Sequence, residues 1–213
     1  MRYLSDTIQF PPIETADEDG LLAIGGDLSS ERLLLAYRSG IFPWFEEGQP
    51  LLWWSPDPRM VLYPADFKVS KSLRKTLRRS GFKVTFNSNF KEVIDACSAI
   101  ERNGQQGTWI TQQMKEAYLK LHQLGHAVSF ETWRDGSLVG GGYGIDLPNC
   151  KVFCGESMFS TVSDASKVGF YHLVRRLQGQ HYKVVDCQVY TSHLASLGAV
   201  EISRSEFKTY LSV

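Results

Sequence analysis

Apolar residues recur at helical spacing in several stretches of the chain and alternate with polar ones in others. Phe90, Val93, Ile94 and Cys97 form one stripe. Asn89 stands before it with Glu92 three residues on, a capping-box pair, so a helix is expected from Asn89. Thr111 caps a second helix, with Met114, Tyr118, Leu121 and Leu124 inward and Gly125 as its stop. Ser163 or Asp164 begins a third, which runs to about Gln178. Leu73 and Leu77, four apart, mark a shorter helix that Gly81 ends.

Strand patterns fill the gaps. Lys83 to Asn87 alternates, as do Val128, Phe130 and Thr132. Asp135-Gly136 predicts a hairpin turn, with Ser137 to Ile145 as the returning strand and Gly140, Gly141, Gly142 and Gly144 inside it. Lys151 to Cys154 reads as a strand leading into Gly155 to Ser160, and Val184 to Tyr190 as a buried strand. Short helices are expected to finish the chain. The order helix, helix, hairpin, strand, helix, strand, helix predicts an α+β fold with a mixed sheet, and it is also the order of acetyltransferase-like folds. Before Pro58 the pattern changes. Pro11-Pro12, Gly25-Gly26, Phe42-Pro43 and Ser55-Pro56-Asp57-Pro58 leave room for one helix, capped by Ser29 or Ser30 and stopped at Gly40. Residues 1–58 are therefore expected to form a small irregular domain and residues 59–213 a larger mixed-sheet domain.

Composition narrows the class. Hydrophobic residues make up 43% of 213 and charged residues 22%, enough to bury a core. No run of eighteen apolar residues predicts a membrane span, and the first residues carry no apolar signal region. Cys97, Cys150, Cys154 and Cys187 do not make a disulfide framework, so reduced thiols and a cytoplasmic location are expected. The 23 basic and 23 acidic residues cancel, but unevenly. Lys68, Lys71, Arg74, Lys75, Arg78, Arg79 and Lys83 fall in a window without an acid. With no acidic partner one helical turn away, this helix suits phosphates, although a solvated basic face is the plainer reading. Trp44, Trp53 and Trp54 lie within the first domain; unpaired bases could stack on them, whereas core filling suits Trp53 and Trp54.

Three polar residues stand among apolar ones. Asp186 and Gln188 are two apart on an apolar strand, which places them on one face and requires that they be paired. They are either a satisfied structural pair or a polar pair at a reacting centre. In the second case Gln188 would orient an attacking amine, with Asp186 fixing its rotamer. Glu156, between Gly155 and Ser157, is either a cap for a following turn or a desolvated carboxyl with a raised pKa. Weaker patterns are His122 with His126, Cys150 with Cys154, and Cys154 as a nucleophile with His193 as its base. None has the spacing of a metal site, and neither a metal nor a cofactor is expected.

Six segments stand in order: Leu21 to Leu28, Gly40 to Phe45, Trp53 to Arg59, Gly107 to Ile110, Gly155 to Ser160 and Asp186 to Val189. Together they resemble the bacterial leucyl/phenylalanyl-tRNA–protein transferases from about Gly20 to Tyr210. The resemblance implies a small N-terminal domain on an acetyltransferase-like domain. It implies transfer of Leu or Phe, and weakly Met, from aminoacyl-tRNA to the α-amine of proteins beginning with Arg or Lys, marking them for degradation. It assigns the centre to Asp186, Gln188 and Glu156. It puts Trp44 and Trp109 near the terminal adenosine, and Tyr118, Phe153, Met158, Phe170, Leu173 and Val185 near an apolar side-chain pocket. Lys71, Arg74, Lys75, Arg78 and Arg79 would meet the tRNA backbone, and the enzyme would act as a monomer.

An aminoacyl ester is already activated, so its aminolysis mainly requires orientation, worth up to roughly 7–11 kcal/mol. One methylene contributes only about 1–3 kcal/mol in an apolar pocket, so rejecting Val and Ile needs a rigid wall near Cβ. Phe170 and Leu173 look like an exchange of aromatic and aliphatic relative to the common family pattern, and Gly142 stands where some relatives carry a bulkier residue. Two rivals remain at this level. A CoA-dependent acyltransferase would share the fold, but Ser160 to Lys167 lacks the glycines of a pyrophosphate loop. A tRNA-binding module without catalysis would not depend on Asp186 or Gln188.

Overall fold

The computed structural model describes residues 2–79, 81–100 and 108–212. Gly107 of the fourth segment lies outside them. Strands β1 (Tyr3–Leu4), β2 (Leu21–Gly25), β3 (Phe42–Pro43) and β4 (Leu52–Trp54) form a sheet in the order β1-β2-β4-β3, with helix α1 (Ser30–Arg38) between β2 and β3. The frequent prolines and glycines keep these strands short. Ser29 caps α1 by accepting the Arg32 N–H, and Gly40, at φ +77°, supplies the left-handed turn that sends the chain into β3. Trp53 is fully buried, and its indole N–H donates to the Gly25 carbonyl at 2.8 Å.

The second sheet holds seven strands: β5 (Arg59–Leu62), β6 (Lys83–Phe86), β7 (Ala127–Arg134), β8 (Ser137–Leu147), β9 (Val152–Ser160), β10 (Val184–Gln188) and β11 (Val200–Ile202). Their order is β11-β5-β10-β9-β8-β7-β6. β9 and β10 are parallel and every other neighbouring pair is antiparallel. This is the mixed, acetyltransferase-like sheet expected from the element order. Helices α2 (Lys71–Arg79), α3 (Phe90–Ala99), α4 (Gln112–Gln123), α5 (Ala165–Gly179), α6 (Ser192–Ser196) and α7 (Arg204–Leu211) complete the chain.

Alternation along the strands separates two cores. Val61, Val152, Cys154 and Val184 pack on one side with Val93 and Ile94 of α3 and Met114 and Leu121 of α4. Met60, Leu62, Phe153 and Val185 face the other side with Phe170, Leu173 and Val174 of α5. The first core continues into the N-terminal sheet through Ala23, Leu33 and Trp53.

Four expectations are corrected. Leu124 is exposed, because it follows the last turn of α4 rather than belonging to its inward stripe. The strand expected at Lys151 to Cys154 runs on to Ser160, since β8 continues to pair with it. The strand expected to reach Tyr190 stops at Gln188, and Val189 and Tyr190 are exposed. β5 and β11 are additional strands. β5 is buried along its whole length, so it lacks the polar alternation that marks a strand with one wet face.

Candidate active site

β9 and β10 pair only as far as Cys154 and Asp186. Beyond that point β9 stays with β8 to Ser160, while β10 stays with β5 through Gln188 and Met60. The sheet therefore forks, and a cavity of about 500 Å³ fills the fork. That volume suits a small apolar ligand with one polar end.

Gln188 bridges the two branches. It follows a register shift after Asp186 and holds φ +64°, a left-handed conformation that costs a non-glycine residue free energy. Its Nε2 donates to Glu156 Oε1 at 2.8 Å. An ionised carboxylate can only accept, so this bond fixes the amide flip and leaves Gln188 Oε1 as a free acceptor. The Tyr118 hydroxyl donates to Glu156 Oε2 at 2.9 Å, and the Tyr37 hydroxyl bonds Tyr118 from behind. Glu156 thus lies within a strand and is held by side chains, so the turn-cap reading falls. Burial raises its carboxyl to about 7, against the lowering effect of hydrogen bonds from Tyr37, Tyr118 and Gln188.

Asp186 does not reach the cavity. Its Oδ1 accepts from Arg59 Nε at 2.8 Å and its Oδ2 from Arg59 Nη2 at 2.7 Å, a bidentate pair with both side chains buried. Asp186 Oδ1 also accepts the backbone N–H of Gln188 at 3.0 Å. The expected support of Gln188 by Asp186 therefore takes another form: Asp186 pins the backbone turn, and Glu156 sets the rotamer. Arg59 Nη1 donates to the Gly40 carbonyl at 3.2 Å, and its guanidinium lies 4.8 Å from the ring centroids of Phe42 and Phe207. Burial opposes the Arg59 charge, but Asp186 more than offsets it and raises the guanidinium pKa. Arg59 links the Gln188 turn to the chain that carries Phe42, Pro43 and Trp44 into the cavity wall.

Trp44 and Trp109 line the cavity, as do Phe153 and Met158 of β9, Phe170 and Leu173 of α5, and Val185 of β10. Tyr118 does not. It is fully buried behind Glu156, so it acts on that carboxyl rather than on an apolar ligand. Phe130 and Tyr143 line the wall too, and sequence reasoning missed both because it treated β7 and β8 only as a hairpin. A Cβ at Gly142 would stand 2.7 Å from Met158 Cγ and from Phe130 Cζ. The glycine leaves that volume to two wall side chains, which accounts for a small residue here where some relatives have a bulkier one. Cys154 is buried and off the wall, and burial pushes its thiol well up, so the Cys154–His193 nucleophile reading fails.

On α2, Leu73 is buried and Lys71, Arg74, Lys75, Arg78 and Arg79 are exposed. Among the described residues no group of three or more His, Cys, Asp or Glu could hold a metal ion, and no helix is long and apolar enough to cross a membrane.

Residues 61–212 match the family described as leucyl/phenylalanyl-tRNA protein transferase, and residues 26–57 match the N-terminal domain of that family. The leucyl/phenylalanyl-tRNA–protein transferase of Christiangramia forsetii is 58% identical over 211 residues, covering 99% of this chain and 100% of the relative. That of Flavobacterium johnsoniae is 60% identical over 211 residues, covering 99% of each. Among solved structures, the C-terminal domain of a putative lysylphosphatidylglycerol synthetase from Agrobacterium fabrum aligns at a TM-score of 0.42 and 13% identity, over 89% of this chain and 63% of that one.

Proposed function

The chain belongs to the leucyl/phenylalanyl-tRNA–protein transferase family, and on that premise we propose that it moves leucine or phenylalanine, and weakly methionine, from aminoacyl-tRNA to the α-amine of proteins beginning with Arg or Lys. The observation that carries this reading is the Gln188–Glu156 bridge at the mouth of an apolar cavity. The amino-acid side chain lies among Phe153, Met158, Phe170, Leu173 and Val185, and the terminal adenosine lies by Trp44 and Trp109. The ester carbonyl then stands near Gln188. The acceptor amine donates an N–H to Gln188 Oε1 and attacks the carbonyl carbon. The new C–N bond forms as the ester C–O bond breaks, the amine loses a proton and the departing ribose oxygen gains one.

Nothing in this step needs a strong base, because the ester supplies the driving force and the amide oxygen supplies direction. Glu156 has a second part. A cationic Arg or Lys side chain beside it favours its ionised form, so acceptor binding and the correct Gln188 flip support each other. The modified protein is thereby marked for degradation in the cytoplasm. The enzyme works as a monomer, and the chain divides into a 1–58 domain and a 59–213 catalytic domain.

The test is to supply tRNA charged with labelled leucine and a peptide beginning with Arg, and to follow label into the peptide. Label in the peptide is expected, and none from acetyl-CoA. Label that stays on the tRNA contradicts the reading. Reversing Arg78 and Arg79 to Glu should weaken tRNA binding and lower its salt slope by roughly 1.4, two single-strand contacts' worth, or somewhat more on duplex. Unchanged binding in a salt titration would remove α2 from the tRNA contact.

A further inference from the structure

The cavity mouth carries two cationic side chains that neither the donor pocket nor the α2 assignment uses. Lys167, Phe170 and Leu173 follow one another at three-residue spacing on α5, so they share a face. Phe170 and Leu173 line the cavity, and Lys167 stands one turn farther toward the start of the helix. His193, on α6, lies on the cavity rim. The two are neighbours: burial lowers the His193 pKa first, and the charge of Lys167 lowers it further.

A carboxylate joins this pair to the basic helix. Asp164 Oδ1 accepts from Lys167 Nζ at 3.1 Å, and Asp164 Oδ2 accepts from Thr76 Oγ1 of α2, also at 3.1 Å. Thr76 sits among Lys75, Arg78 and Arg79. Positive side chains therefore follow one another from α2 across Lys167 to His193 and the edge of the cavity that holds Gln188. The Lys167 side chain is 38% exposed, so its pairing with Asp164 is weak and leaves donors for an incoming anion. An acceptor that begins with Arg or Lys would be repelled by this step, whereas a donor strand carrying phosphodiesters would be drawn along it.

We propose that Lys167 and His193 bind the phosphodiester backbone of the single-stranded 3′ end of the donor RNA, guiding it from the basic helix to the ester site. The inference rests on the reading of the cavity as that ester site. It adds an electrostatic guide near the reacting end, separate from the five cations of α2.

Three leucyl donors test it: 3′-O-leucyl adenosine, which has no phosphate, the leucyl ester of the trinucleotide CCA, and full leucyl-tRNA. Each is given to the wild type, Lys167→Gln, Lys167→Glu and His193→Gln, with an Arg peptide as acceptor, across a salt series. For Lys167→Glu, kcat/KM with the trinucleotide and with leucyl-tRNA should fall roughly tenfold relative to its value with leucyl adenosine, and the salt slope should fall by ~0.7 for one lost single-strand contact. Lys167→Gln and His193→Gln should show the same ranking with smaller losses. An equal loss on all three donors would make these residues supports of the pocket and overturn the proposal. A loss on leucyl-tRNA alone would move the contact to the duplex, and no loss on the trinucleotide would remove it. If the wild type transfers leucine from none of the donors, the reading of the cavity itself fails, an outcome distinct from the other three.

Discussion

Replacing Asp186 by Ala should abolish most transfer and unfold the protein at a lower denaturant concentration. The change leaves the Arg59 guanidinium buried without its counter-charge, and breaking one side of a buried pair costs about 3–5 kcal/mol. It also removes the acceptor of the Gln188 N–H, which holds that residue at φ +64°. Without it the turn can relax toward an ordinary β conformation and carry the amide away from Glu156. Affinity for tRNA should change little, because the α2 cations are separate exposed side chains. Stability and chemistry can be separated by a double change. Arg59→Met with Asp186→Leu fills the same space without charge, so it should recover most of the stability. It should not recover the rate, since Gln188 still lacks its anchor. Denaturation and single-turnover transfer, measured on both variants, check this. A double variant that regains full rate would show that Asp186 serves the fold alone.

Glu156→Gln should lower transfer while making the protein more stable above pH 7. The folded Glu156 carboxyl titrates near 7, above its ordinary value of 4.5. Between those values the native state binds more protons than the unfolded chain, so stability falls as pH rises through this window. Above it a penalty on the order of 3 kcal/mol remains. An amide at this position carries no such penalty, so the variant should gain on the wild type as pH rises from about 5 to 8. Transfer should respond in the opposite sense. Ionised Glu156 holds Gln188 Nε2 and leaves Oε1 for the amine, whereas protonated Glu156 can donate to that oxygen instead. Wild-type transfer should therefore rise with pH through about 7, in addition to the titration of the acceptor amine. The variant should keep only the amine's titration. Profiles with one acceptor peptide, from pH 6 to 8.5, test this; two superimposable profiles would remove Glu156 from the step.

The helices were legible because their signals are local. Asn89 accepts the Glu92 N–H, and Thr111 accepts the Met114 N–H, as capping sequences predict. β5 escaped notice because Arg59, Met60, Val61 and Leu62 are all buried and carry no alternation. Arg59 stood inside a recognised segment, yet its part depends on Asp186, 127 residues away. Tyr37 and Tyr118 meet across 81 residues, and no spacing along the chain reports such a contact. The residue types of the candidate centre could be read from apolar strands that contain isolated polar groups. Their directions could not, because a register shift and one left-handed residue decide where Gln188 points.

The account's central claim is that Gln188 aims an amine at an ester already bound in the fork. Single-turnover transfer from labelled leucyl-tRNA to an Arg peptide by Gln188→Ala, with tRNA affinity measured alongside, tests it most directly. The account predicts a rate at least about a hundredfold lower, a loss of roughly 2.7 kcal/mol of transition-state stabilisation, at unchanged affinity. A wild-type rate, or a loss traced wholly to weaker tRNA binding, would contradict it.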